Sequence, residues 1–456
     1  MKGGLIYFKS PFFDFIPMRP KILIFLLFAS LYSCQSDDDF QSDIEEKEEE
    51  KEEVIVDTVA TEIAGNVLVF KQDKVQDGYV LVNDASNNRV YVMEKKQSEI
   101  LYEWSLPSGI GNDAELLENG NLLVSLTVKD PAYTFGGFGG RLAIIAPSGE
   151  LIWDYTYSTD INLAHHDLEM LPNGNVLFLA WEKKTEEDLI AAGYSGEYTP
   201  VFAEKIIEIN PSSNVIVWEW NVWDHLVQDE NNLLDNYGII SDFPEKVNIN
   251  YEDDFKAGDY NGDIFHANAL EYDAENDLIY LSVNYFSEVW VIDHSTLQTE
   301  VSTSTGGNYG KGGDLVYRFG NPEAYDNIGE RMFYHNHNPN LVPGGNSLLV
   351  FSNGLLELDP HSTVYELEIP AKFELKANQE NKLNIKWSYS NQELFSPKIS
   401  GAYRLPNGNT LITEGTGGYW EVTQSKEIVW KFEGEGFFWR GYPYLKTSNG
   451  IINLGL

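Results

Sequence analysis

The 456-residue chain holds a single cysteine, Cys34, which excludes an intramolecular disulfide and any metal site built on several thiolates. Basic residues are scarce as well. Against 71 Asp and Glu stand 31 Lys and Arg, a formal net charge of -40, so the clustered cations that phosphate contacts need are missing and nucleic acid is excluded as a partner. The same charge repels an anionic membrane surface. No Gly-x-Gly-x-x-Gly and no phosphate loop with a lysine occurs. The run Gly306-Gly307-Asn308-Tyr309-Gly310-Lys311-Gly312-Gly313 lacks the spacing and reads as a loop between strands. The apolar run Ile22 to Ala29 is too short to cross a bilayer as a helix.

That run has another use. Lys21 gives it a positive start, and Leu31-Tyr32-Ser33-Cys34 after it resembles the lipobox of bacterial lipoproteins. Met18-Arg19-Pro20-Lys21 makes an ordinary leader start, so Met18 competes with Met1 as the first residue. The resemblance implies removal of residues 1–33, a lipid on Cys34 and an outer-membrane location. Gln35-Ser36-Asp37-Asp38-Asp39 is similar to the acidic signal that carries such proteins to the cell surface. The acidic run from Asp37 to Asp57 makes residues 34–60 a solvated tether, and the lipid is then the only membrane contact. The alternative, a buried thiol behind an uncleaved anchor, has nothing to pack against in so acidic a stretch.

The body, residues 61–456, is too long for one ordinary compact core, which a repeat resolves. A strand-turn-strand phrase recurs: Glu115 to Val124 around Asn119-Gly120, Glu169 to Phe178 around Asn173-Gly174, Leu341 to Asn346, and Arg404 to Ile412 around Asn407-Gly408, with a degenerate copy at Asp273 to Ile279. Asn-Gly between apolar runs predicts tight type I′ hairpins. Outer strands follow, each ending in an aromatic: Glu99 to Trp104, Glu150 to Tyr155, Val215 to Trp220, Asn384 to Tyr389 and Glu427 to Phe432. Trp104, Trp153, Trp218, Trp387 and Trp430 recur there and are expected to pack between blades. Starts near Tyr79, Glu115, Glu169, Leu270, Leu341 and Arg404 give an all-β fold, a six-bladed β-propeller, with residues between Trp220 and Phe265 inserted as a loop on one face.

His166 lies six residues before Pro172 and His337 six before Pro343, and His266 takes the equivalent place ahead of Leu270. The matching positions elsewhere are Asn112 and Ser400. Innermost strands line a propeller's channel, so three histidines at one repeated position form a ring. Such a ring serves as core packing, as a metal-binding set, or as nucleophile and charge stabilisers. No His-x-x-x-His spacing points to a metal. Strand alternation turns His165 to the other face and leaves His335 on the same one. His294 reads as a strand-end turn residue, His225 and His361 as surface.

Phe265 to Leu270 followed by Ser287 to Asp293, then Gly313 to Pro322, then Tyr334-His335-Asn336-His337 leading to Val350-Phe351-Ser352-Asn353-Gly354, resemble the signatures of the bacterial aryl-sulfate sulfotransferase family. The resemblance covers most of the body. It implies transfer of a sulfuryl group from a phenolic sulfate ester to a phenol through a sulfohistidine, with small aryl sulfates and phenols as partners and no nucleotide donor or cofactor. His337 matches the nucleophile, His166 and His266 the other active-site histidines, and Asn268 a nearby polar residue; His335 joins them as a substrate-binding candidate. Asn284 stands where the family has its sulfate-clamping arginine, which leaves Arg318, Arg404 or Arg440 to supply the charge. Two rival readings stay open: a non-catalytic surface propeller binding a glycan or protein, and a quinoprotein-like propeller suggested by Gly149-Glu150-Leu151-Ile152-Trp153.

Overall fold

The computed structural model describes residues 62–456 apart from 254, 256–260, 345, 357 and 359. The expected signal segment, Cys34 and the acidic tether lie outside the described residues. Among the described residues no helix is long and apolar enough to cross a membrane.

Six antiparallel sheets follow one another as blades of a β-propeller. Counted from the channel outward, blade 2 holds Ile110–Leu116, Leu122–Thr127, Gly140–Ile145 and Leu151–Thr156, and blade 3 holds Asn162–Met170, Val176–Lys184, Val201–Asn210 and Val215–Asn221. Blade 4 runs from Ala267–Asp273 through Leu278–Val283 and Glu288–Asp293 to Tyr317–Phe319. Blade 5 runs from Asn336–Leu341 through Ser347–Ser352 and Thr363–Glu368 to Ile385–Ser390. Blade 6 holds Ser400–Arg404, Thr410–Glu414, Gly418–Val422 and Ile428–Glu433, with the early strand Asn66–Phe70 added at its rim. Blade 1 is composite: Phe438–Tyr444, from the end of the chain, is its innermost strand, beside Tyr79–Asp84, Arg89–Glu94 and Ile100–Glu103. The repeated phrase is thus the hairpin between the first and second strand of a blade.

The hairpins differ from expectation in turn type. In Leu117-Glu118-Asn119-Gly120 the Gly120 amide donates to the Leu117 carbonyl, and only Gly120 is left-handed (φ +86°). Asn119 instead accepts the Asn121 amide on Oδ1. Gly174 and Gly408 repeat the pattern. This is a type I turn closed by a glycine bulge; type I′ would need positive φ at both central residues.

Hydrogen bonds from outer-strand aromatics peg five of the six blades to the next. Indole N–H groups of Trp153, Trp218, Trp387 and Trp430 donate to Asn214 Oδ1, Thr296 Oγ1, the Gln424 carbonyl and the Lys95 carbonyl, and the Tyr102 hydroxyl donates to the Pro147 carbonyl. Every acceptor lies between the third and fourth strands of the following blade.

At the channel the problem is different: an innermost strand has one edge unpaired, and its enclosed amides need acceptors. Side chains from the preceding blade supply them. Leu270 and Tyr272 donate to Asp167 (2.7 Å) and Glu169 (2.9 Å), Leu341 to Glu271 (2.9 Å), Ala402 to Asn338 (2.9 Å) and Leu116 to the Tyr444 hydroxyl (3.1 Å).

The insert after Trp220 is folded rather than loose. It contains the short helical turns Val222–His225 and Ile240–Asp242 and a parallel pairing of Leu226–Val227 with Val247–Asn248. It buries His225, which was expected at the surface: Nδ1 lies 2.7 Å from Asp314 Oδ1 and the ring is parallel to Trp220.

Candidate active site

The innermost strands of blades 3, 4 and 5 open with a bulge, and the candidate residues sit in or beside it. The pairing slips at His166-Asp167 in blade 3, at Asn268 in blade 4 and at Asn338-Pro339 in blade 5. His166, His266, His335 and Asn338 are left-handed, with φ of +50°, +53°, +57° and +46°. A non-glycine residue held there stores of order 1–3 kcal/mol, and such strain gathers at functional sites. The bulges aim side chains along the channel that regular alternation would turn away.

Rings from four blades converge. His166 and His266 meet edge to face at 4.8 Å, and the Trp439 ring lies 5.5 Å from His166 and 6.1 Å from His337. His166 and His337 are buried, whereas His266 is half-buried. Gly137 closes over His166. A Cβ there would come within 2.1 Å of His166 Nε2, so only glycine, at φ +87°, permits the approach.

Each histidine has a defined partner. Nδ1 of His337 lies 2.6 Å from Asn353 Oδ1, and Asn353 is oriented by its own Nδ2 donating to the Ser396 carbonyl (2.7 Å). Burial pushes the His337 imidazole down to about 3, so it is neutral at ordinary pH. Nδ1 of His266 lies 2.6 Å from Asp263 Oδ2, the His266 amide donates to Asp263 Oδ1, and the ring stacks on Tyr285. Nδ1 of His166 lies 2.8 Å from Nδ1 of His165, whose Nε2 is 2.9 Å from Glu204 Oε2. Burial holds His166 well below the usual imidazole range and Glu204 well above the usual carboxylate range. The left-handed turn at His166 breaks alternation, so His165 is not turned away: it stacks on Trp181 and supports its neighbour.

Asn268 and Asn284 point their amides at the Asn336 carbonyl, at 2.9 and 3.4 Å, and so brace the strand that carries His337. His335 is buried beside them, its amide donating to Ser287 Oγ. The expected arginines are engaged elsewhere. Arg318 is sealed against Glu288 and the Lys246 carbonyl and lies over Tyr325. Arg404, beside the hairpin at the far end of its strand, pairs with Glu366 at 2.6 Å. Neither joins the histidines. Arg440 does line the channel, but its guanidinium forks onto Asp167 at 2.7 and 3.0 Å. Among the described residues no group of three or more His, Cys, Asp or Glu is arranged to hold a metal ion.

Sequence reasoning missed Trp439, Asp263 and Glu204. Asp263 carried a local signal, an Asp three residues before a histidine able to cap its amide. Trp439 carried none, since only ring closure by the last strand brings it to the channel.

The family model for arylsulfotransferase (ASST) matches residues 52–436. The chain is also similar to solved structures of a protein of unknown function from Bacteroides caccae (12% identity, TM-score 0.47, 81% of this chain and 99% of that one) and a functionally unknown protein from Desulfotomaculum acetoxidans (10%, 0.39, 81% and 99%). It is likewise similar to hydrazine synthase of Kuenenia stuttgartiensis (9%, 0.40, 78% and 80%). Likenesses this distant bear on neither activity nor substrate. No curated protein matches the chain.

Proposed function

Since the chain belongs to the arylsulfotransferase family, we propose that it moves a sulfuryl group from a phenolic sulfate ester to a phenolic acceptor, with His337 as the nucleophile. The observation that carries this is the 2.6 Å contact between His337 Nδ1 and Asn353 Oδ1. With its own Nδ2 committed to Ser396, Asn353 offers His337 an acceptor, so the ring proton resides on Nδ1 and the lone pair on Nε2.

In the first step Nε2 bonds to sulfur as the bond from sulfur to the phenolic oxygen breaks, and the phenolate leaves with its electron pair. His266, held by Asp263 in the manner of a catalytic dyad, delivers a proton to that oxygen from Nε2. In the second step an acceptor phenol gives its proton back to His266 Nε2 and its oxygen bonds to sulfur, returning the electron pair to His337. Splitting the transfer in two lowers each barrier. Glu204 and His165 stand behind His166, with His165 Nε2 2.9 Å from Glu204 Oε2 and its Nδ1 2.8 Å from His166 Nδ1, so His166 Nδ1 is engaged and Nε2 is the atom left to meet the sulfuryl oxygens. Exported and tethered through a lipid on Cys34, the propeller would act at the outer-membrane surface.

Asn284, in the place of the family's arginine, favours a second reading, a propeller that binds and does not catalyse. Transfer from 4-nitrophenyl sulfate to phenol, measured beside His337→Ala, separates the two. The wild-type protein is expected to release nitrophenol and to gain the mass of one SO₃ on the His337 peptide when the acceptor is withheld, and the variant to do neither. A folded wild-type protein inert toward several donors leaves the binding reading.

A further inference from the structure

Beside His266 the connection between the second and third strands of blade 3 and the insert after Trp220 line a cavity of about 250 Å³. Tyr194, Tyr198, Tyr251 and Tyr285 wall it, and Glu197 and Glu252 lie exposed on its lining. It is a built feature. Asn250 clamps the two segments together, accepting the Ser195 amide at 2.8 Å and donating to the Gly193 carbonyl at 3.0 Å. Tyr251 is held by its contact with Phe286 (5.0 Å) and by Asn321, whose amide donates to the Tyr251 hydroxyl at 2.8 Å. Tyr285 is a shared wall: it lines the cavity while its ring lies parallel to His266 at 4.8 Å.

The chemistry of the lining selects its occupant. Electron-rich ring faces with carboxylates among them attract an organic ammonium group. Among the described residues no lysine or arginine lines the cavity, and a third lining carboxylate, Asp253, is already forked by Arg331. An anionic aryl sulfate is repelled there, and the net charge of -40 acts in the same direction over a longer range. The volume suits a single ring or a short chain rather than a larger ligand.

We propose that this cavity selects the acceptor, seating the ammonium-bearing end of a phenolic amine so that its hydroxyl reaches past Tyr285 toward His266. The inference rests on the sulfuryl-transfer reading. The acceptor's O–H proton passes to His266 Nε2, its oxygen bonds to sulfur, and the bond from sulfur to His337 Nε2 breaks. The product pairs the new sulfate with the ammonium, loses its net positive charge and is released from an acidic mouth.

The test compares two acceptors of equal phenol chemistry, tyramine and its neutral N-acetyl derivative, with 4-nitrophenyl sulfate as donor. The expected kcat/KM ratio is about tenfold or more in favour of tyramine at low salt, shrinking as ionic strength rises. In Glu197→Gln combined with Glu252→Gln the ratio falls toward one. A wild-type ratio near one, or a ratio unmoved by the double substitution, overturns this inference and leaves sulfuryl transfer standing. Absence of transfer to every acceptor removes both.

Discussion

An imidazole attacks through one nitrogen, and the partner of the other nitrogen decides which. At His337 that partner is the Asn353 amide, whose Nδ2 donates to the Ser396 carbonyl and lies 3.3 Å from Ser400 Oγ, so the contacts of the amide nitrogen turn its oxygen to Nδ1 and fix where the lone pair stands. Removing the amide as Asn353→Ala frees the tautomer, and kcat is expected to fall about 10–100-fold while KM changes little, the size seen when an orienting partner is lost. Asn353→Asp separates orientation from charge. The carboxylate still accepts from Nδ1 but stabilises the imidazolium, lifting His337 from its depressed value near 3. Because the protonated ring cannot attack, the acid limb of the nitrophenol-release profile should move to higher pH. A profile that stays in place would sink the assignment of His337 as nucleophile.

At the scale of the strand, the channel edge explains the carboxylates that composition alone leaves unexplained. Glu271 accepts the Leu341 amide of the next blade, and burial pushes it up to about 8 from an ordinary 4.5. A folded value above the unfolded one means that the stabilisation from the proton is complete below about 4.5 and is lost as pH rises through about 8. Thermal unfolding at pH 5 and pH 9 should therefore show a smaller loss of Tm in Glu271→Gln, which keeps an acceptor, than in the wild type. Glu271→Ala leaves the Leu341 amide unpaired and should cost about 1–3 kcal/mol at pH 5. Parallel curves for all three proteins would mean that Glu271 carries no such load. The hairpins, the outer-strand tryptophans and the histidine register were legible because each depends on residues within one blade. His165 was misread because alternation assumes extended backbone and His166 is left-handed. The amide acceptors and Trp439 were illegible because their partners arrive from another blade, in Trp439's case from the far end of the chain.

At the scale of the ring, closure uses both ends of the propeller and loads them unequally. Phe438–Tyr444 forms the channel wall of blade 1, with Phe438, Trp439, Arg440 and Gly441 buried, and it delivers Trp439 to the histidines and Arg440 to Asp167. Asn66–Phe70 only extends the rim of blade 6: it is half-buried to exposed, and its Val67 and Phe70 pack on the cluster around Trp430 and Phe432. Loss of the first strand opens the ring at its axis and strips acceptors and donors from two blades; loss of the second exposes a sheet edge and a little apolar surface. A protein ending at Gly436 is therefore expected to show no cooperative unfolding transition. One lacking residues up to Lys71 should keep the transition, with Tm lowered by about 3–10 °C, the shift that a few kcal/mol produces at this size. The second protein should also retain sulfuryl transfer, since the rim strand it lacks pairs with the outermost strand of blade 6, away from the histidines. Equal damage from the two truncations would show that the ring is held by its rim as much as by its axis.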